Sequence, residues 1–323
     1  MIFSRLCCVF IVAALWTAPA DAQQYPNKPI RIVVPYAAGG LPDTMARLVG
    51  QRLTESLGQQ FIVDNRPGAG GIGACELVAK SAADGYTLLV ADTPQTAVNL
   101  ALYAKLPYDT LRDFAPVSII GTSTQFLAAH ASLPASSLNV LIALARAKPG
   151  QLRFGSSGIG SLQHLGLEAL KSGLNLDIVH VPYKGTAQAV PAMLSGEVSL
   201  VFSAFPSILQ HVKAGRVKLL AVNTLKRSPY APDVPTVAEA TGLRDFDYPP
   251  LIGVLAPART PRVVVTRLAG AIASAVQHPE LVQRFSALGI DPVGSTPEAY
   301  VAQTRRDIER YARVVKTSGV KVE

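Results

Sequence analysis

Along almost the whole of this chain, short near-continuous apolar runs alternate with stretches of helical period, and that alternation leaves few folds open. "IRIVVPY" leads into a helix near Pro42, "FIVDNR" into "GAGGIGACELVAK", and "YTLLVAD" into "TPQTAVNLALY". Farther on, "LRFGSS" precedes "LQHLGLEALKS", "DIVHVPY" precedes "TAQAVPAMLSG", and "VSLVFSAF" precedes "PSILQHVKAG". Strands that lack a polar face are buried on both sides. The expected class is therefore α/β, with mostly parallel sheets covered by helices on both faces.

The first residues stand apart from this pattern. "MIFSR" sets one positive charge before "LCCVFIVAALW", which is too short to span a bilayer, and "APADA" offers small residues at Ala20 and Ala22. Residues 1–22 read as a signal peptide cleaved near Ala22, so the mature protein is expected to be exported; an uncleaved anchor is the alternative. Cleavage removes Cys7 and Cys8. Cys75 is then alone, which excludes an internal disulfide and a cysteine zinc site.

Of the 323 residues, about 300 remain, more than one core comfortably holds. Two lobes are expected, and two extended apolar passages, "FAPVSIIGTSTQFLAAH" and "FDYPPLIGVLAPA", look like the crossings between them. After Pro261 only helical patterns follow. This order gives a first lobe over 23–124, a second lobe inserted over 125–251, and completion of the first by C-terminal helices over 252–323. Two crossings make a hinge with a cleft beside it. A single large α/β domain is the alternative. The net charge of +8 suits anions, but its positives are scattered without aromatic interleaving and only 16% of residues are charged, so nucleic acid is not an expected partner.

Two glycine motifs compete for attention. "GAGGIG", Gly68 to Gly73, satisfies the dinucleotide pattern G-x-G-x-x-G, with Asp92 downstream as a ribose acid. Arg66-Pro67 precedes it in place of a tight strand-to-helix entry, and it follows the second strand. Loop glycines at positive φ explain the same residues, and no cofactor is expected. The other motif is a pair. "PYAAGGLPD" and "GSSGIGSLQH" each run from a strand through small residues into a helix, one in each lobe. Facing each other across a cleft, they would offer backbone N–H groups and the hydroxyls of Ser156, Ser157 and Ser161 to an anion. Taken alone, the second loop is better explained by ordinary serine capping, and it is the pairing across lobes that shifts the balance towards an anion site.

No catalytic set emerges. His164 shares a helix with Leu162, Leu165 and Leu167, so a packing role is as good a reading as a base. No serine stands in a G-x-S-x-G elbow, and no three zinc ligands stand at recognisable spacing. Asp43, in the first turn of its helix, serves either the helix start or a ligand's hydroxyl, amide or ammonium group.

Taken together, several stretches resemble the periplasmic solute-binding receptors of tripartite tricarboxylate transporters, the Bug or TctC family. They include "YPNKPIRIVVPYAAGGLPDTMAR", "VDNRPGAGGIGACELVAKSAADGYTLL", "LYAKLPYDTLRDFAPVS", "AKPGQLRFGSSGIGSLQHL", "HVPYKGTAQAV", "KRSPYAPDVPTVAEATG" and "GVLAPARTP". The resemblance implies a two-lobed, type II-like periplasmic binding-protein fold with a hinged cleft. It implies capture of a small organic acid or related solute, delivery to a two-part membrane permease, no enzymatic activity, no metal, and a monomer. Carried over by position, the first-lobe loop is Tyr36, Ala37, Ala38, Gly39, Gly40 and Asp43. The facing loop is Ser156, Ser157, Gly158, Gly160 and Ser161, with His164 behind it. Thr186 closes over the same space, and Asp92 and Ser203 complete the expected contacts at strand tips. The chain departs from the family at Ser199, Leu100, Leu251 and Ile252, and in the polar "ADTPQTAVN", which bears on solute identity. A ligand-sensing partner of a signalling system would use the same cleft; an α/β hydrolase or transferase would need a nucleophile and base not found here.

Overall fold

The computed structural model describes residues 25–321, so the expected signal peptide lies outside the described residues. The chain first lays down β1 (Ile30–Val34), β2 (Phe61–Asn65), β3 (Thr87–Asp92) and β4 (Phe114–Thr122). It then builds β5 (Gln125–His130), β6 (Arg153–Ser156), β7 (Val179–Pro182), β8 (Leu200–Ala204) and β9 (Val217–Val222), and returns through β10 (Leu251–Pro257) and the short β11 (Asp291–Pro292). Two sheets result: six strands in the order β11-β4-β10-β3-β1-β2, and five in the order β7-β6-β8-β5-β9.

The helices between these strands are α1 (Leu41–Leu57), α2 (Ile72–Ala79), α3 (Asn99–Leu102), α4 (Thr110–Asp113) and α5 (Leu138–Ala147). They continue with α6 (Leu162–Leu174), α7 (Thr186–Leu194), α8 (Phe205–Lys213), α9 (Val237–Thr241), α10 (Arg262–Val276), α11 (Pro279–Ala287) and α12 (Pro297–Ser318). Each sheet is covered on both faces, because alternate residues of its strands feed two separate apolar clusters. In the first sheet Ile30, Ile32, Val34, Leu88 and Val90 pack with α1, α10 and α11, while Val33, Leu89 and Ala91 pack with α2 and Tyr300 of α12. In the second, Leu127 and Ala129 face α5 and α6, and Phe126 and Ala128 face α7 and α8.

Strand direction departs from the expectation of mostly parallel sheets, for both sheets are mixed. β1 pairs in parallel with β2 and β3, and β6 with β7 and β8, but β10 is antiparallel to β3 and β4, and β5 to β8 and β9. The reason is the crossings. β4 ends at the edge where the parallel strands of the first sheet end, and β5 enters the second sheet from the matching edge, so it must run away from the cleft. β10 repeats this on the return. The two crossings are tied side by side, with Ser123 N–H donating to the Pro250 carbonyl at 3.0 Å and Leu251 paired to Thr122.

Helix α12 serves both sheets. Its Tyr300 belongs to a first-sheet cluster, whereas Tyr311 and Val314 are buried in the second-sheet cluster with Leu165, Leu170 and Phe202. At 22 residues it is about 33 Å long, enough to reach from one core to the other.

Candidate functional site

The C-terminal ends of the parallel strands carry the loops that matter, as open α/β sheets generally arrange them. A cavity of ≈ 350 Å³ lies there and is walled from both sheets. Pro35, Tyr36 and Ala37 follow β1; Pro67, Gly68, Ala69, Gly70 and Gly71 follow β2. Pro94, Gln95, Asn99, Leu102 and Tyr103 follow β3, and Ile159, Gly160 and Ser161 enter from the second sheet after β6.

The first-sheet wall is a connected hydrogen-bond network. Tyr36 Oη donates to Asp92 Oδ1 at 2.7 Å and accepts from Gln95 Nε2 at 3.1 Å. Gln95 Nε2 also donates to the Gly70 carbonyl at 3.1 Å, and Asn99 Nδ2 donates to the same oxygen at 3.1 Å. Burial pushes the Asp92 carboxyl up to about 7, against the opposing pull of the Tyr36 hydroxyl. Burial first, and the Asp92 charge second, push the Tyr36 phenol far above its ordinary value, so it stays a donor.

Asp43 is used up by its own loop. It is 2% exposed, accepts from Gly39 N–H at 2.9 Å and from Asn65 Nδ2 at 2.9 Å, and pairs with Arg47 at 3.0 Å. Burial works to raise its pKa, but these three partners outweigh it and hold the carboxyl below the ordinary range. Asn65 Nδ2 also reaches the Tyr36 carbonyl at 3.0 Å, so the loop from Tyr36 to Gly40 is pinned from beneath. Of that loop, Ala38 and Gly39 are exposed at the lip and Gly40 caps α1 without a side-chain bond.

The second-sheet loop is braced by two stacked imidazoles. His164 and His180 lie face to face, ring centres 3.7 Å apart and 8° from parallel. His164 Nδ1 accepts from Gly160 N–H at 3.1 Å, and His180 Nε2 lies 2.6 Å from Ser156 Oγ. Burial pushes both rings down to about 4, so both are neutral at neutral pH. Ser156 is 1% exposed and bonded within its loop to Gly158; Ser157 Oγ donates to Gln163 Oε1 at 2.8 Å; Ser161 Oγ caps α6 by accepting from His164 N–H at 3.3 Å.

Of the residues singled out from sequence, the cavity therefore brings together Tyr36, Ala37, Gly160 and Ser161. Asp92 stands behind Tyr36 and Gln95. Asp43, Ser156 and His164 support the loops from inside. Thr186 opens α7 behind Gly185 and does not line this cavity, and Ser203 is fully buried in β8 with its hydroxyl on the Ala204 carbonyl. Gln95 and Asn99 of this wall belong to the polar "ADTPQTAVN" stretch, which the sequence marked without naming either residue; Tyr103 was not singled out, and the stretch after Pro67 was set aside. The signal for that stretch was present in "GAGGIG", read as loop glycines at positive φ and not as part of a site. Its glycines do adopt the positive φ of 119°, 62° and 81° at Gly68, Gly70 and Gly71. A Cβ on Gly71 would stand 2.7 Å from Pro35 Cβ and 2.9 Å from Gln95 Nε2, so this loop packs its backbone directly on the site.

The family model for the tripartite tricarboxylate transporter family receptor matches residues 45–320. The chain belongs to that family. The receptor is 38% identical over 316 residues to Protein BugT of Bordetella pertussis, covering 98% of this chain and 97% of that one. Among solved structures it is similar to the R. palustris protein Rpa4515 with adipate, at 35% identity, TM-score 0.77, and 92% and 99% coverage of this chain and that one. It is also similar to MatC of Rhodopseudomonas palustris with bound malate, at 30% identity, TM-score 0.73, and coverages of 90% and 100%. Membership makes this receptor an extracytoplasmic, periplasmic solute-binding protein of a transport system, not an enzyme. Its two-domain α/β fold with mixed sheets is that of its relatives.

Proposed function

We propose that this receptor captures a small organic carboxylate in the cavity between its two sheets and hands it to the paired membrane permease of a tripartite tricarboxylate transporter. One observation carries the reading: a ≈ 350 Å³ cavity walled by glycine-rich strand-to-helix loops of both sheets, a volume suited to a small solute. The relatives solved with adipate and malate point to the same ligand class. The contacts are assigned to Tyr36 and Ala37, the stretch from Gly68 to Gly71, and Gly160 and Ser161, with water joining them. No Lys or Arg lines the cavity among the described residues, which favours release, since breaking a buried ion pair is costly. The lobes turn about the paired crossings at 123–124 and 249–250, and residues 1–22 leave as a signal peptide.

Ala37→Trp tests this directly. Ala37 is exposed and lines the cavity, so the larger ring fills the site without disturbing a core. A library of small carboxylates screened by thermal shift should raise the Tm of the wild type, leave that of the variant unchanged, and be recovered chemically intact. Equal stabilisation of both proteins by every hit would overturn the placement of the site.

A further inference from the structure

The hydrogen-bond network on the first-sheet wall has a fixed polarity. The Gly70 carbonyl can only accept, so the two amides that meet it must turn their nitrogens towards it; Gln95 Nε2 and Asn99 Nδ2 both lie 3.1 Å away. The second Gln95 proton goes to Tyr36 Oη at 3.1 Å, and the second Asn99 proton to Tyr108 Oη at 3.2 Å. Tyr108 in turn donates to the Gln95 carbonyl at 2.7 Å, and Tyr36 donates to Asp92 Oδ1 at 2.7 Å. Every side-chain amide and hydroxyl proton of Tyr36, Gln95, Asn99 and Tyr108 is spent on a protein acceptor. Gln95 Oε1 already accepts from the Asp92 N–H at 3.3 Å, so what these side chains leave towards the cavity is lone pairs on Tyr36 and Asn99, with the Asp92 carboxyl behind them. Tyr103, whose hydroxyl has no partner among the described residues, is the one side chain of this wall free to serve either way.

The opposite end has the reverse character. Ser161 Oγ accepts from His164 N–H and keeps its own proton to give, and the N–H groups of Leu162 and Gln163 open the thirteen-residue α6 beside it. We infer that the solute places one carboxylate at Ser161 and a hydrogen-bond donor at Tyr36, so that it is a monocarboxylate with an ammonium, amide or hydroxyl group at its far end rather than a plain dicarboxylate. This rests on the carboxylate reading above and deepens it. A second carboxylate at Tyr36 meets the lone pairs of Tyr36 and Asn99, with the ionised Asp92 carboxylate behind them and no Lys or Arg lining the cavity among the described residues, and the repulsion is not screened as it is in water.

The test is calorimetry at about pH 8, where Asp92 is ionised, on the mature wild-type protein with length-matched acids of four to six carbons. At each length the terminal group is a second carboxylate, an amine, a hydroxyl or an amide. At the best-bound length, a donor-terminated acid should bind at least about tenfold more tightly than the dicarboxylate. Tyr36→Phe, which keeps the ring and removes the acceptor, should bring that ratio within about threefold, and Asp92→Asn should reduce it as a second, independently folded check. Dicarboxylates that bind as tightly as their donor-terminated partners overturn the inference and leave the carboxylate receptor standing. A preference unchanged in both variants overturns its assignment to this wall. Failure of every acid to bind overturns both readings together.

Discussion

Removing the charge of Asp92 should make this receptor more stable in alkaline solution and no more stable in acid. The carboxyl ordinarily titrates near 3.8, and burial pushes it up to about 7 in the folded chain. Between those values the folded state holds a proton that the unfolded chain has released. Stability is therefore fully present below the unfolded value and falls as pH rises through the folded one. Each pH unit in that window is worth about 1.4 kcal/mol, so the penalty above pH 8 approaches about 4 kcal/mol, and about 2–4 after local relaxation. Asp92→Asn keeps the shape and still accepts the Tyr36 proton, but it has nothing to ionise. The assay is urea unfolding of both proteins from about pH 4 to about pH 8.5, read as the difference between them, which cancels the buried Asp307, His164 and His180. The variant should gain about 2–4 kcal/mol at the alkaline end, with no gain at the acid end. Two profiles that run parallel across the window would refute the reasoning, because Asp92 would then titrate alike in both states. The retention of a buried acid at this position fits a site that trades stability for function.

Asp43→Ala should cost about 2–3 kcal/mol at neutral pH, since it frees Gly39, Asn65 and Arg47 at once, and it should weaken all ligands alike; selective loss of one ligand class in calorimetry would restore Asp43 as a direct reader of the solute. That penalty is present above the ordinary carboxylate pKa and is lost as pH falls through the lowered folded value. His164 and His180, pushed down to about 4, should stay neutral in NMR titration until well below pH 6, and their share of stability should fall as pH drops from the unfolded value of 6.5 towards 4; a midpoint near 6.5 for either ring would contradict their burial in the stack. Gly253→Ala puts a Cβ 2.5 Å from the buried Tyr300 ring, so denaturant unfolding should show a loss of about 1–3 kcal/mol, and an unchanged midpoint would mean that α12 yields freely there.

Much of this protein was legible in its sequence because the decisive signals are local. Continuous apolar runs such as "IRIVV" and "VSLVF" determined buried strands, the helical periods between them determined the covering layers, and the crossings "FAPVSIIGTSTQFLAAH" and "FDYPPLIGVLAPA" marked where the chain leaves each sheet. The glycine-serine turns near Gly39 and Gly158 marked the strand-to-helix loops by composition alone. Only the tertiary structure decided the rest. The reversal of β5 and β10 follows from which edge the chain enters, and no residue type encodes an edge. Whether Asp43 faces a ligand or its own loop depends on Asn65, twenty-two positions away, and the polarity of the cavity wall depends on Gly70 meeting Gln95 and Asn99. Local periodicity determines which side of an element is buried; what that side touches is set by long-range packing, and in this receptor packing decides which hydrogen bonds are left for the solute.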